Sequence, residues 1–257
     1  MTKKWLVIGT DERLKRLAKK LSSPERSVFY KYTDVWDSSL NATVLDFFPD
    51  KIVLPILPMQ VEVPMLLGTK HVHFYAGRLN EHWQVLLKNA KVSYYLQDES
   101  FIWKNAALTA EGLIAYFYEN QCSLQNKTFI IAGFGRVAKM LALRLQALQA
   151  KVIIAVRSKA QQTEAKMHGY NAIALQPDQM PQADALINTI PAQWLTQPFS
   201  EQLPMPIFDL ASAPGCLYYV TRSDYTLLSS LPGKYFPDAA AQVLYETVIK
   251  EVLHAEK

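Results

Sequence analysis

One run, Thr128-Phe-Ile-Ile-Ala-Gly-Phe-Gly-Arg-Val-Ala138, constrains this chain more than any other stretch. It sets Gly133-x-Gly135-x-x-Ala138 between an apolar run that reads as strand 128–132 and an amphipathic helix expected over 136–148. Each small residue answers a physical demand. Gly133 permits a tight turn, Gly135 lacks the Cβ that would hold a pyrophosphate away, and Ala138 lets helix and strand approach. The helix start adds N–H donors and the positive end of its dipole. Gly133, Phe134, Gly135, Arg136 and Val137 are therefore the expected dinucleotide-phosphate contacts.

The flanking pattern agrees with this crossover. Strand 151–156, helix 160–167 and strands near 172–175, 185–188, 206–210 and 225–229 follow in alternation. An earlier pass opens with strand 5–8 and a helix whose Leu14, Leu17, Ala18 and Leu21 make one apolar stripe. Its other positions, Arg13, Lys15, Arg16, Lys19 and Lys20, read as a solvated basic face. Short β-rich runs recur at 28–32, 51–54, 71–75 and 91–96. A helix is expected from Thr109, as N-cap, to about 121, with Glu111 in its first turn. A last helix over 238–254 takes Asp238 as its cap, with Leu244, Val248 and Val252 on one face. The fold class is α/β: two doubly wound Rossmann-like domains with a cleft between them, the C-terminal helix packing back on the N-terminal domain. The expected boundaries are 1–108 plus 238–257 for a substrate domain and 109–237 for the dinucleotide domain.

Composition narrows the function. Of 257 residues, 50% are hydrophobic and 19% charged, enough apolar material for two cores. The net charge of +4 sits in residues 1–26, which rules against a nucleic-acid binder. Cys122 and Cys216 form no disulfide framework and no zinc spacing, which fits a reducing compartment. No apolar run approaches a membrane span or a signal peptide, so a soluble cytoplasmic protein is expected. His71 and His73 alternate on one strand but lack a third ligand, so no metal is expected. No nucleophile elbow or Walker lysine motif appears.

The end of strand 151–156 bears on cofactor choice. An NAD site places Asp or Glu there for the ribose hydroxyls, whereas this chain offers Arg157, Ser158 and Lys159. A guanidinium and a hydroxyl suit a 2′-phosphate, which predicts NADP. Two further strand ends, at Asn188-Thr189-Ile190-Pro191 and at Asp209-Leu210-Ala211-Ser212, turn from apolar to small or polar residues. Asn188, Thr189, Pro191, Asp209, Ala211 and Ser212 are the cofactor contacts expected there.

Taken in order, Gly9-x-Asp11-x-Arg13, Leu54-Pro55, Asn105-x-x-x-Thr109-x-Glu111-Gly112, Gly133-x-Gly135-Arg136, Ala155-x-Arg157-Ser158, Asn188-Thr189-Ile190-Pro191, Asp209-Leu210-Ala211-Ser212-x-Pro214-Gly215 and Leu231-Pro232-Gly233 with Pro237 and Gln242 resemble the dipicolinate synthase A-subunit family. The resemblance runs along nearly the whole chain. It implies an NADP-linked step of dipicolinate formation in sporulation, from 4-hydroxytetrahydrodipicolinate, a product of the lysine pathway. It also implies a second, flavoprotein-like subunit, and assembly with further copies of this chain (a homo-oligomer) is possible besides. The chain departs from the family in being shorter, in Thr10 after Gly9, in Gln149 at a helix end that usually carries glycine, and in Ala241.

Such a substrate loses water and then a hydride with a proton, and must be held by its carboxylates. Arg78, Lys104, Lys234 and the N–H groups opening the 109–121 helix are the candidate carboxylate binders. Asn105, Thr109 and Glu111 are the candidate catalytic residues, expected to sit together at the domain junction. Two other functions fit the same residues: a hydroxy-acid or shikimate-like dehydrogenase, and an NADP(H)-holding partner subunit without chemistry of its own.

Overall fold

A computed structural model of the chain describes residues 2–66 and 72–255, with side chains as far as 250. Two compact units emerge, one of residues 1–105 with 232–257 and one of 106–231. The chain crosses between them after Asn105 and after Leu231, where the sequence expects 108 and 237.

The first unit is built on β1 (Lys3–Ile8), α1 (Glu12–Leu21), β2 (Arg26–Lys31), β3 (Val35–Trp36), α2 (Ser38–Phe47), β4 (Lys51–Val53), β5 (Gln60–Val61), β6 (His73–Ala76), α3 (Glu81–Leu86) and β7 (Lys91–Tyr94). Its main sheet runs β2-β1-β4-β6-β7, all parallel, the flavodoxin-like order. One face packs Trp5, Val7, Val53 and Tyr75 under α1; the other packs Leu6, Ile8, Ile52 and Phe74 under Trp36, Leu40 and Trp83. Alternating residues of buried parallel strands feed the two layers, which is why these runs are apolar throughout.

α4 (Glu99–Glu119) carries the chain from the first unit into the second. It begins ten residues before the expected start at Thr109, because Asp98 caps it by accepting from the Phe101 N–H at 2.8 Å. Thr109 therefore lies mid-helix, and its amide is not an open donor. The second unit continues with β8 (Thr128–Ala132), α5 (Arg136–Ala147), β9 (Lys151–Val156), α6 (Lys159–Met167), β10 (Asn171–Ala174), β11 (Ala185–Asn188), α7 (Gln197–Gln202), β12 (Ile207–Asp209) and β13 (Tyr225–Leu227). Its parallel sheet runs β10-β9-β8-β11-β12-β13, the doubly wound dinucleotide-binding order with its switch point between β8 and β11.

A short α8 (Leu231–Tyr235) leads into α9 (Pro237–Ala255), which packs along α1 in the first unit through Leu244 and Val248. α9 starts one residue before Asp238, so that carboxylate is not the cap but pairs with Arg16 at 3.4 Å. Arg13 also departs from the sequence reading. It is buried rather than solvated, with Nη2 donating to Asp11 at 2.7 Å and Nη1 to Asn105 at 3.2 Å. Among the described residues no helix is long and apolar enough to cross a membrane, and no group of three metal-ligating side chains forms. His71, half of the histidine pair, lies outside the described residues.

Candidate dinucleotide site

The carboxyl edge of the second sheet gathers the residues singled out in the sequence. β8 runs buried from Phe129 to Ala132 into Gly133, whose φ of +97° is one that glycine adopts without strain. A Cβ there would stand 2.7 Å from Thr189 Oγ1, because Thr189 donates through both its hydroxyl and its amide to the Ala132 carbonyl. The glycine turn and the loop after β11 are thus locked together.

Gly135 occupies the cap position of α5, and no side chain caps that end. A Cβ built on Gly135 meets nothing within 4 Å, so open space adjoins the first N–H groups of a twelve-residue helix. Ala138 is fully buried behind it. Open space beside a helix start fits a dinucleotide pyrophosphate. Arg136 is exposed at the first helical position, and Val137 is half-buried. Phe134 turns inward against His168 and Tyr170, with ring centroids 6.1 and 5.9 Å away, so only its backbone lies at the turn.

One strand over, Arg157, Ser158 and Lys159 are all exposed at the end of β9. Ser158 holds the cap position of α6, yet its hydroxyl makes no capping bond.

On the other side, Asn188 and Asp209 end β11 and β12 with wholly buried side chains. Asn188 Nδ2 donates to Asp209 Oδ1 at 2.8 Å and to the Ile190 carbonyl at 3.0 Å. Its Oδ1 accepts from the Ile190 amide and from Trp194 Nε1. Asp209 also accepts from the amides of Ala211 and Cys216, at 2.9 and 2.6 Å, and from the Tyr225 hydroxyl at 3.0 Å. These side chains shape both loops from beneath rather than reach outward. Burial, then the Asp209 charge, push the Cys216 thiol and the Tyr225 phenol well above their ordinary values. Ser212 is half-buried and Pro191 exposed on the loops so formed, while Ala211 is buried. Sequence reading missed Trp194, Cys216 and Tyr225; their distance along the chain hides them, and only Gly215, pressed against Tyr225 and Asp209, hinted at a folded-back loop.

The remaining candidates are spread out. Asn105 and Thr109 lie one turn apart on α4, whereas Glu111 points about 200° round from Thr109. Glu111 pairs with Arg144 of α5 at 2.8 Å. Lys104 pairs with Glu246 at 2.7 Å, a tie that occupies it. Arg78 is exposed just past the carboxyl end of β6, and Lys234 is exposed over the Tyr235 ring at 4.9 Å. A hollow of about 370 Å³, lined by Tyr118, Leu124, Gln125, Leu148 and Gln149, opens at the opposite, amino edge of the second sheet.

Comparison with known proteins follows the same lines. Residues 105–202 match the family model described as D-isomer specific 2-hydroxyacid dehydrogenase, NAD binding domain. That match supports a nicotinamide dinucleotide as cofactor and a dehydrogenase-type oxidoreductase as the class. The A subunit of dipicolinate synthase from Bacillus halodurans superposes with a TM-score of 0.78 at 22% identity, over 96% of this chain and 97% of that one. The A chain of dipicolinate synthase from Bacillus subtilis gives 0.74 at 22% identity, over 100% and 98%. A phosphoglycerate oxidoreductase from Vibrio cholerae o395 gives 0.57 at 13% identity, over 99% and 100%. No curated protein sequence matches the chain.

Proposed function

We propose that this chain is an NADP-dependent oxidoreductase of the dipicolinate synthase A-subunit type, turning 4-hydroxytetrahydrodipicolinate into pyridine-2,6-dicarboxylate. The observation that carries the cofactor half is the pairing of an open glycine turn at Gly135 with Arg157, Ser158 and Lys159, and no carboxylate, at the end of β9. An Asp there would repel a 2′-phosphate; a guanidinium attracts it. The substrate half is supported by the eight sequence blocks and by the likeness in fold to two dipicolinate synthase A chains.

The reaction loses the 4-hydroxyl as water, then a hydride and a proton, leaving an aromatic ring. The bound dinucleotide supplies the hydride acceptor. The chain's own work is to hold the dicarboxylate, exclude water and move protons. Arg78 and Lys234 are the basic side chains proposed for the carboxylates, since Lys104 is tied to Glu246. Asn105 and Thr109 are proposed as substrate contacts and Glu111 as a proton-transfer group whose carboxylate Arg144 holds. A second, flavoprotein-like subunit is the proposed partner.

The test is direct. Purified chain, NADP and 4-hydroxytetrahydrodipicolinate should yield NADPH and pyridine-2,6-dicarboxylate in equal amounts, with NAD a poor substitute. Turnover only after the second protein is added would give the chain a cofactor-holding role instead. The match of residues 105–202 supports one further reading, a hydroxy-acid dehydrogenase, which glycerate-like acids in the same assay would reveal.

A further inference from the structure

Asp209 is the single carboxylate wholly buried among the described residues, and no cation meets it. Its four donors are neutral: Asn188 Nδ2 and the Ala211 amide on one oxygen, the Cys216 amide and the Tyr225 hydroxyl on the other. Two amide N–H groups and a carboxamide NH₂ can only donate, and the Tyr225 hydroxyl completes the set. Asp209 is a carboxylate stripped of water and held only by hydrogen bonds. An uncompensated buried charge is costly, and it persists where the field it makes has a use.

Its place in the fold says what that use is. The basic trio, Arg157 to Lys159, ends β9 on one side of β8, whereas Asp209 ends β12 two strands away on the other. A dinucleotide laid across a doubly wound sheet puts its adenosine on the β9 side and its nicotinamide on the β11–β12 side. The oxidised nicotinamide ring carries a positive charge and the reduced ring none. We infer that Asp209 is a fixed negative charge beneath the nicotinamide end of the site, selecting the oxidised form of the cofactor over the reduced one. This rests on the dinucleotide reading above, and it deepens that reading by giving the site a preferred direction: it holds the hydride acceptor firmly and lets the reduced product go. Asp209 touches no reacting atom, so its role is positioning and electrostatic. Solvent does not screen it, so one charge acting across about 12 Å at an effective dielectric of about 20 is worth about tenfold in relative affinity.

The experiment measures dissociation constants of NADP⁺ and NADPH, and of NAD⁺ and NADH, for the wild type and two variants. Asp209→Asn removes the charge. Tyr225→Phe keeps the charge and removes one of its donors, so it disturbs the network without neutralising it. Asp209→Asn should lower affinity for the oxidised form about tenfold relative to the reduced form, whereas Tyr225→Phe should leave that ratio as it is. If Asp209→Asn does not fold, the wild type still decides, since it should bind the oxidised form more tightly than the reduced one, and the reverse order overturns the inference. Equal loss for both forms, or an unchanged ratio, in Asp209→Asn would mean a purely structural carboxylate and overturn the inference. A wild type that binds no dinucleotide would instead overturn the functional reading, and this inference with it.

Discussion

Gly233 lies so close to Asp11 that a β-carbon on it would stand 2.1 Å from the Asp11 Oδ1 atom. That carboxylate is already fixed, with Oδ1 accepting from the Arg13 amide and Oδ2 from the Arg13 guanidinium. Arg13 in turn holds Asn105, the residue after which the chain leaves the first unit.

Gly233→Ala should therefore destabilise the first unit by about 1–3 kcal/mol, because neither backbone nor a clamped carboxylate can yield cheaply. Urea unfolding followed by tryptophan fluorescence measures it; four of the five tryptophans, Trp5, Trp36, Trp83 and Trp103, lie in that unit. An unshifted midpoint would contradict the close approach.

The two glycines of the fingerprint should fail differently. Gly133→Ala meets a positive φ and Thr189 Oγ1, so it lowers stability by about 1–3 kcal/mol. Gly135→Ala meets open space at ordinary φ, so the melting temperature stays while NADPH affinity drops about tenfold or more. Calorimetry of unfolding and of binding separates them.

Arg157→Asp should reverse cofactor preference. Loss of a charged hydrogen bond and gain of repulsion cost NADPH about 2–3 kcal/mol, while NADH gains an acceptor for its ribose hydroxyls. Competitive binding of NADPH and NADH reads the change directly.

His73 is half-buried, stacked 4.5 Å from Tyr75 and bonded through Nε2 to Ser93 at 3.0 Å. Burial first, then Lys91 and Lys51, hold its pKa down to about 4. Between pH 6.5 and 4 the unfolded chain takes up a proton that the folded one refuses, so stability falls as pH falls through that window. His73→Phe should flatten this part of the melting-temperature profile; an unchanged slope would remove His73 as its cause.

Thr109→Val and Glu111→Gln should lower turnover of 4-hydroxytetrahydrodipicolinate while NADPH affinity is kept. The Glu111–Arg144 pair is partly exposed, so its loss costs under about 1 kcal/mol of stability and does not confuse the assay. A variant with full turnover clears its residue of the role.

The elements with strong periodicity are legible in the sequence. Strands 128–132, 151–156 and 185–188 stand where apolar runs put them, since the carboxyl half of each is buried on both faces. α2 is not legible: its Ser, Asn, Thr and Val residues have weak helical preference, and it is fixed by the Asp37 cap on Leu40 and by burial of Leu40 and Val44. The start of α4 is hidden because Thr109 and Glu111 imitate a cap motif that Asp98 supplies earlier. At the site, the glycine turn and the basic end of β9 can be read from local spacing. The hidden part is the Asn188–Asp209–Tyr225 network, whose members meet only once three parallel strands are laid side by side.

The packing of α9 along α1 has a consequence for synthesis. Residues 106–231 form a self-contained body lodged inside the sequence of the other, so a ribosome finishes the inner one first. The apolar stripe of α1 then waits uncovered for its helical mate, roughly 10–50 s at ordinary rates of translation. During that interval Leu14, Leu17 and Leu21 offer chaperones a sticky target, and nascent-chain profiling should find holdase occupancy ending as residues 237–255 emerge.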